Sequence, residues 1–204
     1  MSELLFNELP RPTFRWLRVN HTVSSLAGED TAVQSIAVEA NKNILSPLPV
    51  GTALLDGNYE GANKEAVHVL VEKAEGYAIN VPPKAKEVVG IRIDANARVA
   101  NRFQFIVGEG AELEVQFYVT GSGDALTNVS YLNEYDVKEA GKVVVKKVNL
   151  LPEHVQHIEH RYTKLEEKAD VEYINIEIGG SENILNYYHD LVGKESHIIH
   201  DIAY

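Results

Sequence analysis

Gly108-Glu109-Gly110-Ala111-Glu112-Leu113 is a charged turn ending on a small residue, and it leads into the alternating stretch Leu113-Glu114-Val115-Gln116-Phe117. The same form returns as Lys138-Glu139-Ala140-Gly141-Lys142-Val143, as Glu166-Glu167-Lys168-Ala169-Asp170-Val171 and as Gly193-Lys194-Glu195-Ser196-His197-Ile198. The small residues at 111, 141, 169 and 196 are separated by 30, 28 and 27 positions. A step of that size suits one coil of a broad β-solenoid made of several short strands and turns, each coil burying its apolar residues against the coils above and below. A β-sandwich is the competing reading, because its strands also alternate between turns and chain length does not separate the two.

Outward from this repeat the grain stays β. Val67, Val69 and Val71 alternate with polar neighbours, and Tyr77-Ala78-Ile79-Asn80-Val81, Val89-Gly90-Ile91-Arg92-Ile93, Phe103-Gln104-Phe105-Ile106-Val107 and Val171 to Ile178 continue the pattern. No segment after Ala66 carries a long 3.6-residue stripe, so a stack of short strands is expected. The first 65 residues read differently. Ser2 is placed to cap a short helix bearing Leu4, Leu5 and Leu9, which Pro10 and Pro12 stop, and Phe14 and Trp16 are expected to pack this segment onto the body. Turn chemistry at Ser46-Pro47-Leu48-Pro49-Val50-Gly51 and Leu55-Asp56-Gly57-Asn58 marks its end. The expected fold is all-β: a right-handed parallel β-helix over residues 66–204 behind a small mixed or helical appendage at 1–65.

Composition narrows the function classes. The 204 residues are 45% hydrophobic and 24% charged, close to globular averages, so a packed core is expected. Nineteen basic against 30 acidic residues give a net charge of −11, which disfavours nucleic acid and anionic membranes as partners. With no cysteine there are no disulfides, thiolate metal sites, thiol nucleophiles or cysteine-ligated clusters. Met1-Ser2-Glu3-Leu4-Leu5-Phe6 lacks a basic flank, and no apolar run reaches the roughly 18 residues of a spanning helix, so a cytoplasmic protein is expected. On the same ground Asn20-His21-Thr22 and Asn128-Val129-Ser130 are read as unglycosylated.

The stretch Gly76-Tyr77-Ala78-Ile79-Asn80-Val81-Pro82-Pro83-Lys84-Ala85, followed by Val88-Val89-Gly90-Ile91, resembles the entry into the β-helix of the SufB/SufD family of iron–sulfur cluster assembly scaffolds. Asn101 to Leu113 is similar to the family's next coil. His157-Ile158, Ala169-Asp170-Val171 and Ile178-Gly179-Gly180 resemble the SufD coil that closes on a Gly-Gly turn. Leu191-Val192-Gly193-Lys194-Glu195-Ser196 resembles the coil after it, and Pro12 to Trp16 the Pro-rich, Trp-bearing N-terminal region of SufD. The resemblance covers most of residues 76–204 in short pieces whose order carries it.

That resemblance implies a non-catalytic, SufD-like scaffold with SufB-like and SufC-like proteins as partners and no cofactor of its own. In the family, further coils and a C-terminal helical region hold the SufB–SufD interface, the SufC docking site, the functional cysteine of SufB and the interface histidine of SufD. This chain ends at Ile202-Ala203-Tyr204, within a strand of what reads as an early coil, so it is expected to be truncated relative to the family. No catalytic, cofactor-binding or metal-binding residue is carried over. The apolar last strand leads us to expect a homo-oligomer formed through the C-terminal end of the solenoid. The alternative is a stand-alone β-helix binding module outside the pathway.

Three other sets of residues carry possible chemistry. His154, His157 and His160 have the donor type for zinc or iron, but on a strand His157 opposes the other two, which stand about 20 Å apart; on a helix each three-residue step turns the face by about 300°. His189, His197 and His200 could share an ion only if neighbouring coils stack two of them, about 4.8 Å apart. Solvated or core-edge rings are the default for both sets. Glu109, Glu112, Glu114, Glu166 and Glu167 are read as a solvated face, and Gly121-Ser122-Gly123-Asp124 and Gly179-Gly180 as turns rather than phosphate cradles.

Overall fold

The structure, a computed structural model, describes residues 4–6, 22–24, 36–55, 59, 64–96, 98–122 and 127–204. Strands β1 (Leu4–Phe6) and β2 (Thr22–Ser24) form an antiparallel pair. A helix over Leu4 and Leu5 is therefore not what forms. A segment this short cannot sustain a helix alone, whereas pairing with a distant strand satisfies its backbone. Ser2, Leu9, Pro10, Pro12, Phe14 and Trp16 lie outside the described residues.

The strands that follow are β3 (Ile36–Glu39), β4 (Leu45–Leu48), β5 (Gly76–Val81), β6 (Lys86–Asp94), β7 (Val99–Val107), β8 (Glu112–Thr120) and β9 (Thr127–Val137). The last are β10 (Lys142–Leu151), β11 (Val155–Leu165), β12 (Asp170–Gly179), β13 (Glu182–Leu191) and β14 (His197–Ala203). They sort into two six-stranded sheets. The first runs β3-β6-β8-β10-β12-β14 and the second β4-β5-β7-β9-β11-β13. From β5 onward each coil gives one strand to each sheet and successive coils pair in parallel, which is a β-solenoid and not a sandwich of antiparallel strands. β3 and β4 add antiparallel to β6 and β5 at the start of the stack.

The repeat sets the register directly. Glu112 pairs with Lys142, Lys142 with Asp170 and Asp170 with His197, steps of 30, 28 and 27. At the corner before each of these strands the chain enters the left-handed region, at Lys84, Gly110, Ala140, Lys168 and Glu195, with φ between 54° and 62°. The corners also bond to one another: Lys84 N–H donates to Glu109 O, Gly110 to Glu139 O, Ala140 to Glu167 O and Lys168 to Lys194 O, at 2.8–2.9 Å. A side chain in the left-handed region costs roughly 1–2 kcal/mol, so this ladder holds three non-glycine residues, Lys84, Ala140 and Lys168, in a conformation they would not choose alone. Gly193 serves a different need, since a Cβ there would stand 2.0 Å from Glu167 N.

A ten-residue helix, α1 (Lys64–Lys73), precedes the solenoid proper. The alternation of Val67, Val69 and Val71 points to a strand there, but the buried residues are Ala66, Val67, Leu70 and Val71, a 3.6-residue stripe. The tertiary contact decides: with Tyr59 and Ala74, this stripe packs on Leu132 and Tyr162 of the outer face of the second sheet. Among the described residues no helix is long and apolar enough to cross a membrane.

Inside the solenoid the early coils are filled with apolar and aromatic side chains. Phe105 stacks on Tyr135 at 4.6 Å and 9°, and Phe117 on Tyr131 at 6.1 Å and 8°. Parallel register sets the first pair, in which Phe105 and Tyr135 are partners on neighbouring strands, whereas Phe117 of β8 and Tyr131 of β9 meet across the interior from opposite sheets.

Candidate functional site

Two coils further along, the interior changes character. Following the inward columns, Phe117 is succeeded by Lys147 and Asn175, Val119 by Asn149 and Glu177, Val129 by His157, Tyr131 by Glu159, and Asn133 by Arg161. All seven polar residues from β10, β11 and β12 in these columns, except the slightly accessible Glu177, are at most 1% exposed. They face each other across the interior because β10 and β12 belong to one sheet and β11 to the other.

The charges are paired and balanced. Lys147 Nζ lies 2.7 Å from Glu159 Oε2 and 2.6 Å from Glu177 Oε1. Arg161 holds Glu159 Oε1 through Nε at 2.9 Å and Nη2 at 2.5 Å, while Asn133 Nδ2 donates to the same oxygen at 2.9 Å. Asn149 Nδ2 donates to Glu177 Oε2 at 3.0 Å. The Arg161 guanidinium is sandwiched between the rings of Tyr173 and Tyr187, 4.2 and 4.5 Å from their centroids. Two formal cations meet two carboxylates, which is how charge survives in a dry interior.

The environment fixes protonation states. Burial alone would raise the Glu159 carboxyl, but the adjacent Arg161 and Lys147 hold it well below the usual carboxylate range. Burial, reinforced by the Lys147 charge, pushes His157 down to about 3, so its ring is neutral and bridges Tyr131 OH (3.1 Å) to Asn183 Oδ1 (3.1 Å). Burial drives the Tyr131 and Tyr135 hydroxyls well above their ordinary range. Such a network holds fixed charges and fixed dipoles in place.

A second polar cluster lies on the outer face of the second sheet, beneath α1 and the segment before it. Arg102 Nη2 and Glu134 Oε2 are 3.5 Å apart, Gln104 Nε2 donates to Glu134 Oε2 at 3.0 Å, and Tyr59 OH donates to Glu134 Oε1. Arg102 Nη1 also donates to Val71 O at 3.1 Å, tying the end of the helix to the sheet. Burial and the neighbouring Glu134 raise the Tyr59 hydroxyl well above its ordinary range.

The histidines singled out in the sequence separate into distinct places. His154 sits in the turn before β11, His157 points into the solenoid, and His160 lies on the opposite, outer face of β11, where burial pushes it down to about 4. The structure does not bring these three together. It does bring His189 and His200 together: their Nε2 atoms are 2.9 Å apart across the interior, whereas His197 is exposed. No group of three or more His, Cys, Asp or Glu side chains placed to hold a metal ion occurs among the described residues. Glu109, Glu112 and Glu167 are exposed and Glu114 and Glu166 partly so, as their turn and outward positions require. Gly179 and Gly180, at φ 90° and 84°, form the bend from β12 to β13.

Sequence reasoning missed the buried polar layer. The signal was phase: in β10 the inward series is Val143, Val145, Lys147, Asn149 and Leu151, so polar residues continue a buried apolar column while Val148 and Leu150 point outward. The sequence family described as SUF system FeS cluster assembly, SufBD core domain, matches residues 91–204. The chain belongs to this SufBD core family. Membership places it in SUF-system iron–sulfur cluster assembly. No curated protein and no solved structure matches the chain. The SufBD core match begins in β6 and takes in every coil from β7 to β14, including the whole polar layer and both interior histidines of β13 and β14.

Proposed function

We propose that the chain is a non-catalytic, SufD-like scaffold or accessory component of the SUF system, working in the cytoplasm through contacts with SufB-like and SufC-like proteins. The observation that carries this reading is the SufBD core match over residues 91–204, more than half of the chain. Two features support it. Lys147, Glu159, Glu177 and Arg161 inside the coils are engaged with one another, an arrangement that stiffens a scaffold. The outer face of the first sheet, by contrast, presents Tyr118, Leu150, Ile176 and Ile178 to solvent, the kind of surface through which proteins dock.

The test is an affinity pull-down of the tagged chain from lysate of its own cells, with mass spectrometry scoring SufB-like and SufC-like proteins. Enrichment of either supports the scaffold reading. A folded bait that recovers neither would overturn it and favour a stand-alone β-helix binding module, a reading for which the exposed apolar face of the first sheet also speaks.

A further inference from the structure

The His189–His200 pair has no part in the charge network beneath it. His189 comes from β13 and His200 from β14, one strand from each sheet, so the two rings meet across the interior instead of lying side by side on one strand. Aromatic neighbours hold them in place. Tyr173 stacks on His189 at 5.8 Å and 20° and lies 4.7 Å from His200, while Tyr187 lies 5.1 Å from His200 and 6.5 Å from His189. His189 Nδ1 is buried without a hydrogen-bond partner, which leaves the tautomer of that ring unpinned.

We infer that His189 and His200 form a two-histidine site for a borderline divalent transition-metal ion such as Zn²⁺, bound through the two Nε2 atoms. Imidazole nitrogen suits zinc, copper, nickel and iron, whereas calcium and magnesium require oxygen ligands. Two nitrogens bound to a tetrahedral ion at about 2.0–2.1 Å stand about 3.3 Å apart, so the pair has to open by only about 0.4 Å from its present 2.9 Å. Binding replaces the hydrogen bond between the rings and requires each to carry its single proton on Nδ1. Burial, with the neighbouring ring and the Arg161 charge, keeps His189 down at about 4, and burial with Arg161 does the same for His200, so both rings are in the neutral, ligating form at pH 7. The pair supplies two donors, so water or an incoming ligand completes the coordination, which makes the site an open one.

The chain, stripped with chelator, is titrated with Zn²⁺ by calorimetry at pH 7.5, with Mg²⁺ as the hard-ion comparison. One Zn²⁺ is expected to bind per chain, with no response to Mg²⁺. His189→Gln and His200→Gln are each expected to weaken Zn²⁺ binding at least about tenfold, and His197→Ala to leave it unchanged. Imidazole ¹⁵N–¹H spectra of the unmutated protein give a readout that does not depend on variants folding, since the ring signals of His189 and His200 should be the ones that move with Zn²⁺. Absence of Zn²⁺ binding, or binding that moves neither ring, overturns the site. So does binding that both glutamine variants retain.

Discussion

Lys147 Nζ on β10 lies 2.7 Å from Glu159 Oε2 on β11, both side chains wholly enclosed between the two sheets, and the same ammonium reaches Glu177 Oε1 at 2.6 Å. Removing one member of such a group leaves an uncompensated buried charge, which costs far more than the group contributes when whole. Lys147→Met is therefore expected to destabilise the protein by about 3–5 kcal/mol in urea or guanidinium unfolding. The double variant Lys147→Met/Glu177→Gln removes one charge of each sign and leaves the Arg161–Glu159 pair intact, so its cost should fall clearly below the sum of the single changes. Strict additivity would show that the three groups are not coupled.

The corner turns give a prediction of opposite sign. Ala140 holds φ 54° with its N–H bonded to Glu167 O. Glycine keeps that bond and relieves the left-handed strain, so Ala140→Gly should stabilise by about 1 kcal/mol. An increase in the denaturation midpoint at unchanged slope is the expected result, and a decrease would mean that the corner is not strained.

Helix and strand readings of residues 64–73 separate by mutation. In α1, Leu70 is buried against the second sheet and Val69 is only partly covered. Leu70→Ala should cost about 2–5 kcal/mol, and Val69→Ser no more than about 0.5 kcal/mol. On an alternating strand Val69 would share the face of Val67 and Val71, and the ranking would invert.

Acid should unfold this protein partly through its buried histidines. His157 and His160 titrate in the fold at about 3 and about 4, below the roughly 6.5 of an unfolded chain. Between these values the unfolded state binds more protons than the folded one, so the stability these neutral rings confer is present above pH 6.5 and lost as pH falls toward 4. Unfolding at pH 5 should take up about one proton for each of the two, seen as a slope of stability against pH. His157→Asn should remove about one proton of that uptake; an unchanged slope would show that His157 is not buried neutral.

The spacing of Ala111, Gly141, Ala169 and Ser196 determined the coil length, the register and, with the ordered resemblances, the family, because in a parallel stack the distance between equivalent residues is the register. Alternation located the strands for the same reason: inward and outward positions differ by one residue. It could not say which phase faces in at β10 and β12, where Lys147, Asn149, Asn175 and Glu177 are enclosed and Val148, Leu150, Ile176 and Ile178 face out. A buried ion is tolerated only when a counter-ion reaches it, and Lys147, Glu159 and Glu177 come from three different strands of the two sheets, so only the folded coils bring them together. Nor could local pattern decide between helix and strand at Val67, Val69 and Val71, since the surface offered by Leu132 and Tyr162 belongs to coils far along the chain. The meeting of His189 and His200 has the same origin: the ten residues between them in sequence say nothing of their distance, which is set by β13 and β14 lying in opposite sheets across a narrow interior.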